Sequence, residues 1–173
     1  MALFASRWLV AVLILVSVLL VLFLVGKRSV HTEIEISASP DRIWSVLTDY
    51  STAAQWNKVL LPVEGDLQVG NRIRYEFYQE ENGEPSLITA RVKQLVPNEL
   101  INQTGGIPGV LTFDHQYVIS YDNRGVTTVI IQETYRGVMV PFWNPKPVER
   151  AYARLLSLLK ARVLESEGTD EPN

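Results

Sequence analysis

The chain has 173 residues, a formal net charge of -3, no cysteine and two histidines, a size that fits one domain with appendages. That charge balance excludes nucleic acid as the main partner, which would demand a concentrated basic surface. Without cysteine there is no disulfide, thiolate nucleophile or cysteine metal site, and His31 and His115 lack metal-ligand spacing, so neither a metal nor another cofactor is expected.

Trp8 to Val25 (WLVAVLILVSVLLVLFLV) is uncharged, with Ser17 its only clearly polar side chain. At about 1.5 Å per residue it covers roughly 27 Å, close to the thickness of a bilayer's hydrocarbon core, so it is expected to cross the membrane once. A cleaved signal peptide would have a shorter apolar region followed by a small-residue cleavage site, whereas this run ends in Gly26-Lys27-Arg28. Residues 1–29 are therefore read as a transmembrane anchor with a short linker. Lys27 and Arg28 tilt the orientation toward a cytoplasmic globular domain; an exported domain behind a short N-terminal tail is the other common arrangement, and the side stays open.

From Val30 the composition becomes that of a soluble domain. Thr32, Ile34, Ile36 and Ala38 alternate with polar residues as a first strand, with the exposed His31 on the polar parity. Ser39-Pro40-Asp41 supplies an N-cap hydroxyl, a proline preset for the first turn and an acid that complements the helix dipole; the helix it starts runs to about Thr48. Ser51 opens a second, short helix, and Trp44 and Trp56 are expected to be packing anchors. Short strands follow at Val59 to Val63, Arg72 to Gln79, Leu87 to Val96 and Leu100 to Thr104. Arg72, Arg74, Arg91 and Lys93 share an outer face, either solvated or facing anionic headgroups. Gly105 to Gly109 reads as a loop that no helix follows, so it does not cradle a phosphate. Asn102-Gln103-Thr104 satisfies the glycosylation pattern.

The longest alternating segment is Val110 to Gly137. Phe113, His115, Tyr117, Ile119 and Tyr121 share one parity, and Asp122-Asn123-Arg124-Gly125 suits a three-residue hairpin loop with glycine in the left-handed conformation. Pairing Asp122 with Val126 sets Tyr117 opposite Ile131 and His115 opposite Glu133 on the inner face. A one-residue slip would send Val129, Ile131 and Tyr135 to the wrong face. After prolines 141, 145 and 147 a final helix runs from about Pro147 to Glu165, with Val148, Tyr152, Leu155, Leu156, Leu159 and Val163 as its apolar stripe. The polar tail, residues 166–173, is expected to be disordered.

The order of strand, helix, short helix, antiparallel strands and long amphipathic helix resembles the α+β helix-grip fold of the START-like or SRPBCC superfamily, which includes bacterial polyketide cyclase-like proteins. ASPDRIWSVLTDY with Trp56 downstream, GIPGVLTFDHQYVI, and GVTTVIIQETYRG with its ending Glu133, Tyr135, Gly137 carry the likeness, over about residues 30–165. The resemblance implies a curved antiparallel sheet wrapped around the C-terminal helix, enclosing a cavity for a hydrophobic small molecule. Tyr75, Phe77, Phe113, His115, Tyr117, Ile131, Glu133, Tyr135, Tyr152 and Leu156 are the expected ligand contacts, by inward parity or place on the helical stripe. The same side chains would equally fill a solid core; periodicity does not separate the two.

His115 and Glu133 admit three roles: hydrogen-bonding the polar end of an apolar guest, satisfying each other structurally, or acting as a general base pair in cyclase or dehydratase chemistry. With no nucleophile motif or cofactor fingerprint, the expected function is a membrane-tethered binder or carrier of a lipid-like or polycyclic molecule, without evidence of turnover. The alternatives are a polyketide cyclase/dehydratase using His115 and Glu133, and a non-catalytic interaction module using Phe142 and Trp143, which are otherwise a lid or packing. The sequence identifies no particular protein partner.

Overall fold

The computed structural model describes residues 2–122 and 125–165; the tail expected to be disordered and the loop residues Asn123 and Arg124 lie outside the described residues. Helix α1 (Ala2–Val25) leads into strand β1 (Lys27–Ile36), followed by α2 (Pro40–Thr48), α3 (Ala53–Trp56), β2 (Leu60–Glu64), β3 (Arg72–Phe77), β4 (Ser86–Val96), β5 (Leu100–Ile107), β6 (Leu111–Tyr121), β7 (Thr127–Arg136) and α4 (Lys146–Glu165). The strands form a curved seven-stranded antiparallel sheet in the order β1-β7-β6-β5-β4-β3-β2. Its concave face takes the long helix α4, which buries Val148, Ala151, Tyr152, Leu155, Leu156, Leu159 and Val163. This is the helix-grip architecture.

Local chemistry explains the elements. Ser39 Oγ accepts from the Arg42 amide at 3.3 Å with Pro40 in the first turn, so α2 starts where its cap places it. Ile43 and Leu47 are its buried face, and Trp56 is buried as a packing anchor. In the β6–β7 hairpin the Asp122 amide donates to the Val126 carbonyl at 3.2 Å, and Gly125 sits at φ +89°. That turn sets Tyr117 opposite Ile131 and His115 opposite Glu133, the register that burial favours.

Two boundaries differ from expectation. β1 begins at Lys27, not Val30, and pairs Lys27 with Arg136 and Arg28 with Tyr135, so the connection to α1 is Gly26 alone. A strand at the sheet edge holds its backbone pairing even where its side chains are polar and exposed. β5 continues through Gly105 and Gly106 to Ile107, so the expected five-residue loop shrinks to a tight turn into Leu111. Asn102 is buried in β5, donating to Asp114 Oδ1 at 2.6 Å and the His115 carbonyl at 3.1 Å; the glycosylation pattern therefore lies inside the sheet, not on a surface loop.

The sheet has two distinct ends. Gly26, the β3–β4 connection, the β5–β6 turn and the segment after Arg136 lie at the end where α1 attaches. α2 and the β4–β5 and β6–β7 turns lie at the far end, where Asn98 Nδ2 donates to Asp41 at 2.6 Å. In α1 the 19 residues Arg7–Val25 are long and apolar enough to cross a membrane, and none of that stretch is buried against the rest of the chain.

Candidate functional site

The site grows from the register of β6 and β7. Because side chains two apart share a face, Glu133 and Tyr135 both point toward α4, whose stripe brings Tyr152 to the same place. Glu133 is 3% exposed. Its Oε2 accepts hydrogen bonds from Tyr152 at 2.5 Å and from Tyr135. Burial first, and then the charge of Glu133, push both phenols well above their ordinary value, so each hydroxyl stays a donor to the carboxylate.

His115 is next to this cluster but not joined to it. Its Nδ1 lies 3.7 Å from Glu133 Oε1, beyond hydrogen-bond distance, and neither ring nitrogen has a hydrogen-bond partner. The ring packs edge-on against Tyr117 and Tyr152, at centroid distances of 4.8 and 5.1 Å. The pair expected from the hairpin is thus present in register, but the residues that hold the carboxylate are two tyrosines. Tyr135 shares the strand and parity of Glu133, but the contribution of Tyr152 was not legible from β6 and β7 alone, since it arrives from α4.

A cavity of about 390 Å³ opens beside the cluster, toward the end of the sheet where α1 attaches. Phe77, Phe113, Glu133, Tyr135 and Tyr152, all expected contacts, line it. Tyr75, His115, Tyr117, Ile131 and Leu156 do not. Ile131 and Leu156 are sealed in the core at 0% and 1% exposure. Tyr75 and Tyr117 border only a void of about 20 Å³ in the far half, where Tyr75 accepts from Gln103 at 2.7 Å and shares a hydrogen bond with Tyr50 at 2.8 Å. The interior is therefore filled at one end and hollow at the other. Lining residues outside the expected set include Leu87, on the outer parity of β4, Ile107, on the inward parity of the β5 extension, Val110 in the β5–β6 turn, and Val148. Trp143 also lines the cavity and packs against Tyr135 with ring centroids 4.3 Å apart and the planes tilted by 49°, as a lid residue would, while Phe142 is exposed to solvent.

The four buried phenols Tyr75, Tyr117, Tyr135 and Tyr152 all have raised pKa values, with burial the leading cause. Unfolded tyrosine loses its proton near pH 10 while these do not, so the stability they contribute is complete below pH 10 and falls as pH rises beyond it. In an alkaline titration, tyrosinate absorbance from these groups is expected to appear together with loss of the circular dichroism signal. Titration of all tyrosines near pH 10 with the fold intact would contradict this.

The chain matches the family model described as polyketide cyclase / dehydrase and lipid transport over residues 27–164. No curated protein sequence matches it. Among solved structures, a point mutant of norcoclaurine synthase from Thalictrum flavum, in complex with a transition-state analogue, superposes with a TM-score of 0.61 at 15% identity, covering 82% of this chain and 96% of that one. A Chromobacterium violaceum protein gives a TM-score of 0.60 at 21% identity, covering 78% and 96%. A Thermus thermophilus protein gives 0.63 at 18% identity, covering 80% and 99%. At these identities the likeness is one of fold.

Proposed function

We propose, from the premise that the chain belongs to the polyketide cyclase/dehydrase and lipid transport family, that it is a membrane-tethered binder of a lipid-like or polycyclic molecule with one polar end. Hydrophobic ligand binding is general to the fold. The observation that carries the specific reading is the cavity itself: about 390 Å³, walled by Phe77, Ile88, Phe113 and Val148 and carrying one buried carboxylate, Glu133. Ligand sites are typically apolar with few polar groups that fix orientation.

The carboxylate selects the guest. With no cationic partner within hydrogen-bond distance it repels an anionic head and accepts from a hydroxyl or amine, so a neutral or donor-bearing amphiphile fits better than a fatty-acid anion. Aromatic walls suit rings as well as chains. Tethering through α1 serves such a guest, because a domain held at the bilayer meets membrane-dissolved molecules at high effective concentration.

Native mass spectrometry of the full chain, extracted in detergent from its own membrane, tests the proposal. A co-purifying small molecule is expected with the native sequence, and Ile88→Trp, which fills the cavity from its wall, is expected to lose it. Recovery of the bare protein in both cases would reject ligand binding.

A further inference from the structure

We infer that the end of the sheet from which α1 leaves is a docking face for an anionic lipid surface, with the cavity mouth seated in the bilayer interface. This rests on the proposed reading of α1 as an anchor and of the cavity as a ligand site. The occupant follows from the junction. One residue, Gly26, separates α1 from β1, and its carbonyl accepts from the Gly137 amide at 3.0 Å. A Cβ on Gly26 would sit 2.1 Å from the Gly137 carbonyl oxygen, so the helix end is pressed against the end of β7. The next amides continue the contact: Val138 donates to Gly109 and Met139 to Val110, at 3.0 and 3.1 Å. A short junction braced by hydrogen bonds cannot carry this end far from the membrane that α1 crosses.

The surface around the junction is apolar where it meets the cavity. Phe142 and Ile107, at 71% and 65% exposure, are the most exposed large apolar side chains outside α1 among the described residues. Ile107, Leu87 and Val110 line the cavity while remaining exposed, so they form its rim. An exposed apolar rim around a pocket marks an interaction surface.

The flanking outer face of the sheet is basic. Lys27 lies opposite Arg136, and Arg72 opposite Arg91, like-charged neighbours that destabilise a sheet unless a counter-charge offsets them. Nearby Arg74 and Lys93 are neutralised by Glu64 and Asp114, at 3.0 and 3.1 Å, leaving these four to face anionic headgroups. A chain with net charge -3 thus puts one basic pair, Lys27 and Arg136, beside its anchor and a second, Arg72 and Arg91, across β6 and β5 on the same outer face. A membrane-dissolved guest then passes between acyl chains and cavity without crossing water.

The native sequence has no cysteine, so a single nitroxide label can be placed anywhere. The full chain, carrying Ile107→Cys, Phe142→Cys or the far-end control Tyr121→Cys, is reconstituted into nanodiscs of phosphatidylcholine with phosphatidylglycerol. At Ile107 and Phe142, relaxation by oxygen is expected to exceed relaxation by a water-soluble nickel complex, with the ratio inverted at Tyr121. Arg72→Gln and Arg91→Gln should each lower the docked fraction relative to the undocked by about fivefold, and nanodiscs of phosphatidylcholine alone should lower it further. Rim labels as water-exposed as Tyr121, or a chain that does not incorporate into the bilayer, would overturn the inference. Aqueous rim labels on protein that still retains a small molecule would reject docking and spare ligand binding; embedded labels beside an empty cavity would do the reverse.

Discussion

Glu133→Gln is expected to cost ligand affinity about threefold to tenfold while leaving the domain as stable as before, or more so. The two effects separate because the residue does two things. Glu133 is a buried carboxylate whose hydrogen-bond partners are two neutral phenols, with His115 out of reach at 3.7 Å. Burying such a charge is costly, and an amide oxygen still accepts from the tyrosines without that penalty. For the guest, however, a charge-assisted hydrogen bond becomes a neutral one, worth about half as much. Titration of the molecule that co-purifies with the native protein, beside chemical denaturation of both proteins, reads the two quantities. Loss of stability with affinity unchanged would assign Glu133 a structural role. Glu133→Ala should be worse than Glu133→Gln for stability, because each tyrosine hydroxyl left buried without an acceptor costs about 1–3 kcal/mol. Should a substrate turn over, these variants and His115→Ala are the ones in which turnover must disappear.

Gly137→Ala is expected to destabilise the domain by upward of about 2 kcal/mol and to loosen the junction between α1 and the sheet. Gly137 sits at φ +141°, and a Cβ there would stand 2.2 Å from the carbonyl oxygen of Val110, a backbone atom that no side-chain rotation moves aside. Relief would require parting β7 from the β5–β6 turn, the contact that also positions the cavity rim. Gly109→Ala is the control. Gly109 also has positive φ, +79°, but its Cβ would meet nothing within 4 Å, so only the conformational penalty of about 1–2 kcal/mol remains. Denaturant melts of the two detergent-solubilised variants should differ accordingly; equal costs would show that the close approach at Gly137 relaxes freely.

The elements and the hairpin register were legible because they depend on local rules. Period-two alternation, the Asp122 to Gly125 turn and the Ser39-Pro40-Asp41 cap each act within a few residues, and the pairing of His115 with Glu133 follows from them. Lys27 to Ser29 read as linker in the sequence because their side chains are charged or small, yet an edge strand needs only their backbone. The carboxylate's true partners were half visible. Tyr135 shares its strand and parity, whereas Tyr152 reaches Glu133 only when α4 lies across the sheet.

What the sequence determined by itself was the order of elements, the inward face of each and the apolar length of α1, all of which follow from nearest neighbours and periodicity. The tertiary structure decided where the interior is empty. Ile131 and Leu156 obey the same inward pattern as Phe113 and Tyr152, but the first two are sealed in the packed core while the second two border a cavity. Periodicity states which way a side chain points; whether another stands against it depends on the distance between sheet and helix, and no local interaction sets that distance.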